Sequence, residues 1–298
     1  MKMKNRVLIQ VLGIFVVLLS AFPLHAQTGQ VMERLSMKSK ILGTDLFYTI
    51  YLPSDYQAST RRYPVVYLLH GYSDDDSGWL QFGEMNRIVD KGIASGEIPP
   101  MIIVMPDAGV SWYINDYKGK VRFEDMFVQE LIPFIDATYR TRAKKEFRGI
   151  SGLSMGGYGS LVLSMRNPDL FAACAAFSSA VRTDDEVVNT PKEWYDRVFG
   201  ILFGENLEGQ ARLTEHWKKY SVLEIVKTSP KEQLSKVKYY IDSGDDDFLY
   251  EGNNLLHNAL RKKEVPNEYR VHDGGHTWTY WRTYLLDGLK FIGQSFHR

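Results

Sequence analysis

The chain has one cysteine, Cys174, in 298 residues. An intramolecular disulfide is therefore impossible, whatever the redox state of the compartment. No set of Cys and His residues has zinc spacing, which excludes the common structural-metal scaffolds. Cys174 lies in the apolar stretch 171–177, the setting of a buried, inert thiol rather than a nucleophile. Surplus charge is absent too: 36 Lys+Arg balance 36 Asp+Glu. That balance gives no electrostatic reason to expect nucleic acid or an anionic membrane surface as partner. Internal repeats, low-complexity tracts and long polar linkers are missing. With 44% hydrophobic and 24% charged residues the composition is that of a globular protein, and 27–298 reads as a single domain.

Long apolar runs are scarce, and the one present is at the start. Lys2, Lys4 and Arg6 precede an apolar run from Val7 to Phe22, followed by Pro23-Leu24-His25-Ala26-Gln27. This is the pattern of a secretory signal peptide cut after Ala26. Leu24 is larger than the small residue usual three before a cut, which leaves the position open by a few residues. The run is shorter than the roughly 20 residues of a spanning helix and contains Gln10, which argues against a membrane anchor. No cysteine stands directly after the cut, so a lipid anchor is not indicated. The expected location is the periplasm or the exterior.

Short apolar segments alternate with helical patterns, which predicts a mostly parallel sheet covered on both faces. Strands are expected over 46–52, 65–70, 101–105, 147–151, 172–177, 238–242 and 268–272. Helices are expected over 123–138, 156–166, 253–263 and 280–291. Segment 183–234 breaks the rhythm. It is charged and helical in character, and rich in aromatics such as Trp194, Phe199 and Trp217. It is too long for a simple crossover and reads as a helical insertion that caps the sheet.

The chemistry centres on Gly152-Leu153-Ser154-Met155-Gly156. Alone, a G-x-S-x-G occurs by chance in roughly one chain of this length in ten. Here a strand runs into it and a helix leaves it, the setting in which a sharp turn lifts a serine hydroxyl clear of a sheet. A hydroxyl needs a base. Of seven histidines, His25 leaves with the signal peptide, His70 ends a strand, His216 and His257 fall in helical stretches, and His297 is near the end. His272 closes a strand. His276 follows Asp273-Gly274-Gly275, a loop beyond that strand, and is the candidate base. The base needs an orienting carboxylate. The segment Asp242-Ser243-Gly244-Asp245-Asp246-Asp247 follows another strand, and spacing favours Asp247 over Asp246 only modestly. Its acids do not have the alternating spacing of a calcium loop. The N–H of Met155 is placed to stabilise an oxyanion, and the loop His70-Gly71-Tyr72 offers the N–H of Tyr72 as a second donor. Ser, Asp, His is the chain order of α/β-hydrolase triads.

Four motifs carry a resemblance: Leu68-Leu69-His70-Gly71-Tyr72, Gly152 to Gly157, Asp242-Ser243-Gly244 through Asp247-Phe248-Leu249, and Gly274-Gly275-His276 with Trp278 and Trp281. Over about 39–291 the chain resembles the esterase family of α/β-hydrolases. That family holds carbohydrate esterase family 1 (feruloyl and acetylxylan esterases), tributyrin-type esterases, S-formylglutathione hydrolases related to esterase D, and mycolyltransferases. The resemblance implies the α/β-hydrolase fold, a triad of Ser154, Asp247 and His276, and an oxyanion hole of Tyr72 and Met155. It settles Asp247 over its neighbours, which spacing did not. It implies no metal or organic cofactor. An export signal disfavours the cytoplasmic S-formylglutathione branch. A feruloyl or acetyl ester of a xylan-like polysaccharide is the expected substrate. A broad short-chain acyl esterase and a non-catalytic binding module are the alternatives. Trp79, Trp112, Tyr113 and Trp278 are candidates to line a pocket for an aromatic acyl group or a sugar, with a place in the core equally open to each.

Overall fold

Alternate residues of a strand face opposite sides of a sheet, and here both sides are apolar. Val65, Tyr67 and Leu69 enter one hydrophobic cluster; Val66 and Leu68 enter another. Ile102 and Val104 divide from Ile103 and Met105 in the same way. Such strands need cover on both faces, and each fully buried side chain of this kind contributes roughly 1.5–3 kcal/mol. The computed structural model describes residues 28–297; the expected signal peptide, 1–26, lies outside the described residues.

Eight strands form one sheet. They are β1 (Gln30–Lys38), β2 (Asp45–Leu52), β3 (Val65–Leu69), β4 (Ile102–Pro106), β5 (Arg148–Leu153), β6 (Ala173–Phe177), β7 (Lys238–Gly244) and β8 (Asn267–His272). Their order is β1-β2-β4-β3-β5-β6-β7-β8. β1 and β2 pair antiparallel, as do β2 and β4, while all pairs from β4 to β8 are parallel. All seven expected strands are present, with ends displaced by at most two residues. On one face the helix Met155–Arg166 buries Leu161, Val162 and Met165. On the other the helix Trp278–Gly293 buries Trp281, Leu285 and Ile292 beside Val89 of the helix Met85–Ala94. Cys174 is fully buried in β6, and burial pushes its thiol up to about 12.

Two of the longer elements fall outside the expected set, β1 and the helix Met85–Ala94. β1 is an edge strand with one buried residue, and its register shifts between Met32 and Leu35. Arg34 adopts φ 53° there, a bulge that breaks the period of two. The bulge is useful: Arg34 Nη1 reaches Asp76 at 2.7 Å and Asp107 at 2.9 Å. Thr49 Oγ1 donates to the same Asp76 at 2.7 Å, so the loop after β3 is tied to the sheet edge.

Segment 183–234 joins β6 to β7 as short helices, among them Asp184–Asn189, Glu215–Tyr220 and Val222–Thr228. Thr183 opens it with a capping box: its hydroxyl accepts from Glu186 N–H at 3.1 Å, and the Glu186 carboxylate accepts from Thr183 N–H at 2.8 Å. The hydroxyl of Tyr158 donates to the carbonyl of Tyr220 at 2.9 Å, fastening the segment to the helix that follows Ser154. Among the described residues no helix is long and apolar enough to cross a membrane.

Candidate active site

Parallel strands deliver their following loops to one edge of a sheet, where α/β proteins place ligands. Tyr72 follows β3, Ser154 follows β5, Asp247 follows β7 and His276 follows β8. Because β3 lies beside β5 and β7 beside β8, these four loops, distant in sequence, converge.

Ser154 sits on the turn between β5 and its helix with φ 54° and ψ −116°, a conformation that costs an L-residue free energy. The turn closes only because its flanks are glycine. A Cβ on Gly152 would lie 2.5 Å from the carbonyl oxygen of Gly156, and one on Gly156 would lie 2.4 Å from that of Leu69. The Ser154 amide is fixed by a 2.9 Å bond to the carbonyl of Phe177 at the end of β6. Five of the nine non-glycine residues with positive φ among the described residues surround this point: Ser73, Trp112, Tyr113, Ser154 and Ser178.

The Ser154 hydroxyl lies 2.9 Å from His276 Nε2. On the other side of the ring, Nδ1 donates to the Asp247 carboxylate at 2.9 and 3.1 Å. Asp247 is 1% exposed. Burial acts to raise its pKa, but hydrogen bonds from His276, Ser178 and the Leu249 N–H outweigh it and hold the carboxyl below the ordinary aspartate value. Ser178 is itself held, accepting from Trp281 Nε1 at 3.0 Å. The imidazole is walled by Phe248 and Trp281, with centroids 4.7 and 4.8 Å away. Asp246, the near competitor for the acid position, is exposed and gathers with Asp245 and Asp273 outside the site.

The loop His70-Gly71-Tyr72 passes over the serine: a Cβ on Gly71 would lie 3.8 Å from Ser154 Cβ. Neither the Tyr72 nor the Met155 amide bonds a backbone acceptor among the described residues. His70 braces this loop from beneath. Its Nδ1 donates to the carbonyl of Gly71 at 2.8 Å, and its Nε2 accepts from the Ala108 N–H at 2.9 Å. Burial lowers its pKa, which keeps the ring neutral, as that pair of bonds requires.

Ser154 and His276 open into a cavity of about 430 Å³. Its walls include Tyr72, Trp112, Trp194, Phe199, Phe248 and Trp278. Asp74 and Arg182 are its charged members. Burial, with the neighbouring Asp75 adding, pushes the Asp74 carboxyl up to about 6.

Residues 39–292 match the protein family described as "Putative esterase". The chain belongs to this esterase family. A solved ferulic acid esterase is 32% identical, with a TM-score of 0.77, covering 90% of this chain and 99% of that one. An acetyl esterase of Caldicellulosiruptor saccharolyticus is 28% identical over 238 residues, 77% of this chain and 83% of that protein. An esterase of Mycobacterium tuberculosis strain H37Rv is 27% identical over 259 residues, 81% of this chain. The match spans about half, 54%, of that mycobacterial protein. The sheet and its helices are those of the α/β-hydrolase fold.

In this esterase-family frame two expectations about the pocket need correction. Trp79 does not line the cavity; it is 1% exposed and donates through Nε1 to the Leu69 carbonyl at 2.9 Å. Tyr113 does not line it either; it is fully buried, donates to the His70 carbonyl at 3.0 Å, and fills the space beside Gly159. Both are core residues that support the loop after β3. Trp112 and Trp278 do line the cavity. Asp74, Arg182, Trp194, Phe199 and Phe248 line it as well, none of them among the pocket candidates drawn from sequence. Trp194 and Phe199 carried a signal, the aromatic richness of segment 183–234; the two charged residues carried none.

Proposed function

We propose that this protein is an exported serine esterase that cleaves feruloyl or acetyl esters of a xylan-like polysaccharide. The observation that carries the reading is the unbroken chain from Ser154 through His276 to a buried, ionised Asp247, opening on an aromatic-walled cavity. The names of the acetyl esterase and the ferulic acid esterase that the chain resembles support the substrate class. The basic start and apolar run of residues 2–22 support export.

His276 Nε2 takes the Ser154 proton as Oγ attacks the ester carbonyl. Asp247 fixes the Nδ1–H tautomer and stabilises the imidazolium. The negative charge of the tetrahedral intermediate falls to the amides of Tyr72 and Met155, and the positive end of the Met155–Arg166 helix adds to them. The intermediate collapses as His276 returns the proton to the leaving alcohol. Water, deprotonated by the same imidazole, then releases the acid from Ser154. These steps use only the chain's own residues.

The test is parallel product release from methyl ferulate, acetylated xylan and tributyrin by the mature protein and by Ser154→Ala. Release of ferulate or acetate that Ser154→Ala abolishes is the expected result. Turnover of tributyrin alone would move the reading to a broad short-chain esterase. Hydrolysis retained by Ser154→Ala would refute the serine mechanism.

A further inference from the structure

Among the largely uncharged walls of the cavity stand two charged side chains, Asp74 and Arg182, and the second is a cation with capacity to spare. Arg182 stands where the loop after β6 enters segment 183–234 and lines the same cavity as Ser154 and His276. Its Nη1 bonds Glu186 Oε1 at 2.8 Å. Glu186 is itself immobilised by the Thr183 capping box, where its other oxygen accepts from the Thr183 N–H. The guanidinium is therefore held from one corner on a fixed post. Nε and Nη2 have no acceptor among the described residues. The Arg182 side chain is 24% exposed, and its guanidinium carbon stands 5.8 Å from the ring of Phe248, which in turn packs on His276. An arginine with two free donors in a fixed orientation is suited to a planar, two-oxygen anion. The partial neutralisation by Glu186 leaves geometry as the main source of selectivity. Asp74, the other charged wall, makes no ion pair with Arg182, so the carboxylate does not occupy its free donors.

We propose that Arg182 is a specificity-determining residue that binds a carboxylate on the substrate close to the scissile ester. The proposal rests on the esterase reading and adds to it an acidic substrate class: an ester whose acyl part carries an acid group, or one borne by an acidic, uronosyl-type alcohol. The shared chemistry is the carboxylate, and its source is separable by experiment.

Two pairs of esters serve. On the acyl side, methyl 4-carboxycinnamate is compared with methyl cinnamate. On the alcohol side, 4-acetoxybenzoate is compared with methyl 4-acetoxybenzoate. For each pair the ratio of kcat/KM, acidic over neutral, is measured for the wild type, Arg182→Gln and Arg182→Lys, with folding of each variant checked by thermal unfolding. Intrinsic ester reactivity cancels when a ratio is compared between proteins. Arg182→Gln should lower the ratio about tenfold in one pair, mostly through KM, as expected for one lost charge-assisted contact. Arg182→Lys should recover part of it, because charge returns without the planar fork. The pair that responds identifies the side of the ester that bears the acid. Ratios that stay unchanged in both pairs, with all esters still cleaved, would overturn the assignment and leave the esterase reading intact. Failure of the wild type to cleave any of the four while it still turns over tributyrin or methyl ferulate would overturn the assignment alone; failure on those two as well would refute the esterase reading with it.

Discussion

Ser154 is held at φ 54° and ψ −116°, the mirror image of an ordinary extended conformation. Glycine enters that region as readily as its mirror, whereas a residue with a Cβ does so at a cost of about 1–3 kcal/mol. Comparing Ser154→Gly with Ser154→Ala isolates that cost, since both lack the hydroxyl and Ser154 makes no side-chain cap bond to its helix. Glycine gives back about 0.5–1 kcal/mol through the greater freedom of its unfolded chain. The net is roughly 1 kcal/mol in favour of Ser154→Gly. For a chain of this size that is a melting temperature about 2 °C above that of Ser154→Ala. Both variants should lose on the order of 10⁶ in kcat. The assays are thermal unfolding in one buffer and single-turnover hydrolysis of 4-nitrophenyl acetate. An alanine variant that melts at or above the glycine variant would mean that the turn at Ser154 stores no strain.

Other substitutions follow from the same geometry. Asp247→Asn removes the acceptor that fixes the His276 tautomer and should lower kcat on the order of 10⁴-fold, measured on 4-nitrophenyl acetate across pH. Asp74 should act on stability with a defined sign. Burial pushes its carboxyl up to about 6 in the fold, from an ordinary 3.8, so its contribution is most favourable below pH 3.8 and is lost as pH rises through about 6. Asp74→Asn should therefore match the wild type in melting temperature near pH 3.5 and exceed it at pH 8; equal melting temperatures at both would refute this. Trp79→Phe deletes the bond to the Leu69 carbonyl in a buried setting and should cost about 1–3 kcal/mol in denaturant unfolding.

Buried parallel strands announce themselves, because apolar residues are required on both faces; β3, β4 and β6 were legible for that reason. β1 was not, since an edge strand with one buried residue and a bulge at Arg34 shows no clean alternation. The convergence of Ser154 and His276 could be read from punctuation, a glycine-rich loop following each strand. The choice between Asp246 and Asp247 could not. It is made by an inward turn in which the Asp247 carboxylate accepts from the Leu249 N–H at 2.8 Å, while Asp246 points to solvent. Nearness to a motif misled for Trp79 and Tyr113. Trp112 beside Tyr113 lines the cavity, as does Asp74 five residues before Trp79, but packing beneath the loop, not proximity along the chain, sets which face a ring takes. Arg182 gave no sign at all, because Arg-Thr-Asp-Asp-Glu reads as an ordinary capped helix start.

The arrangement separates two tasks. Ser154, Asp247 and His276 stand on loops whose strands are fixed by the sheet, whereas Trp194 and Phe199 reach the cavity from segment 183–234, outside it. A change of pocket shape can therefore arise in that segment without moving Ser154, Asp247 or His276. The exception is the stretch from Ser178 to Arg182. Ser178 bonds Asp247, the Ala180 amide bonds the Ser154 carbonyl at 3.0 Å, and Arg182 lines the cavity four residues on. Here the chain that holds Asp247 becomes the chain that shapes the pocket. A substitution at 178 or 180 should move kcat and substrate preference together, while one at Trp194 should move preference alone.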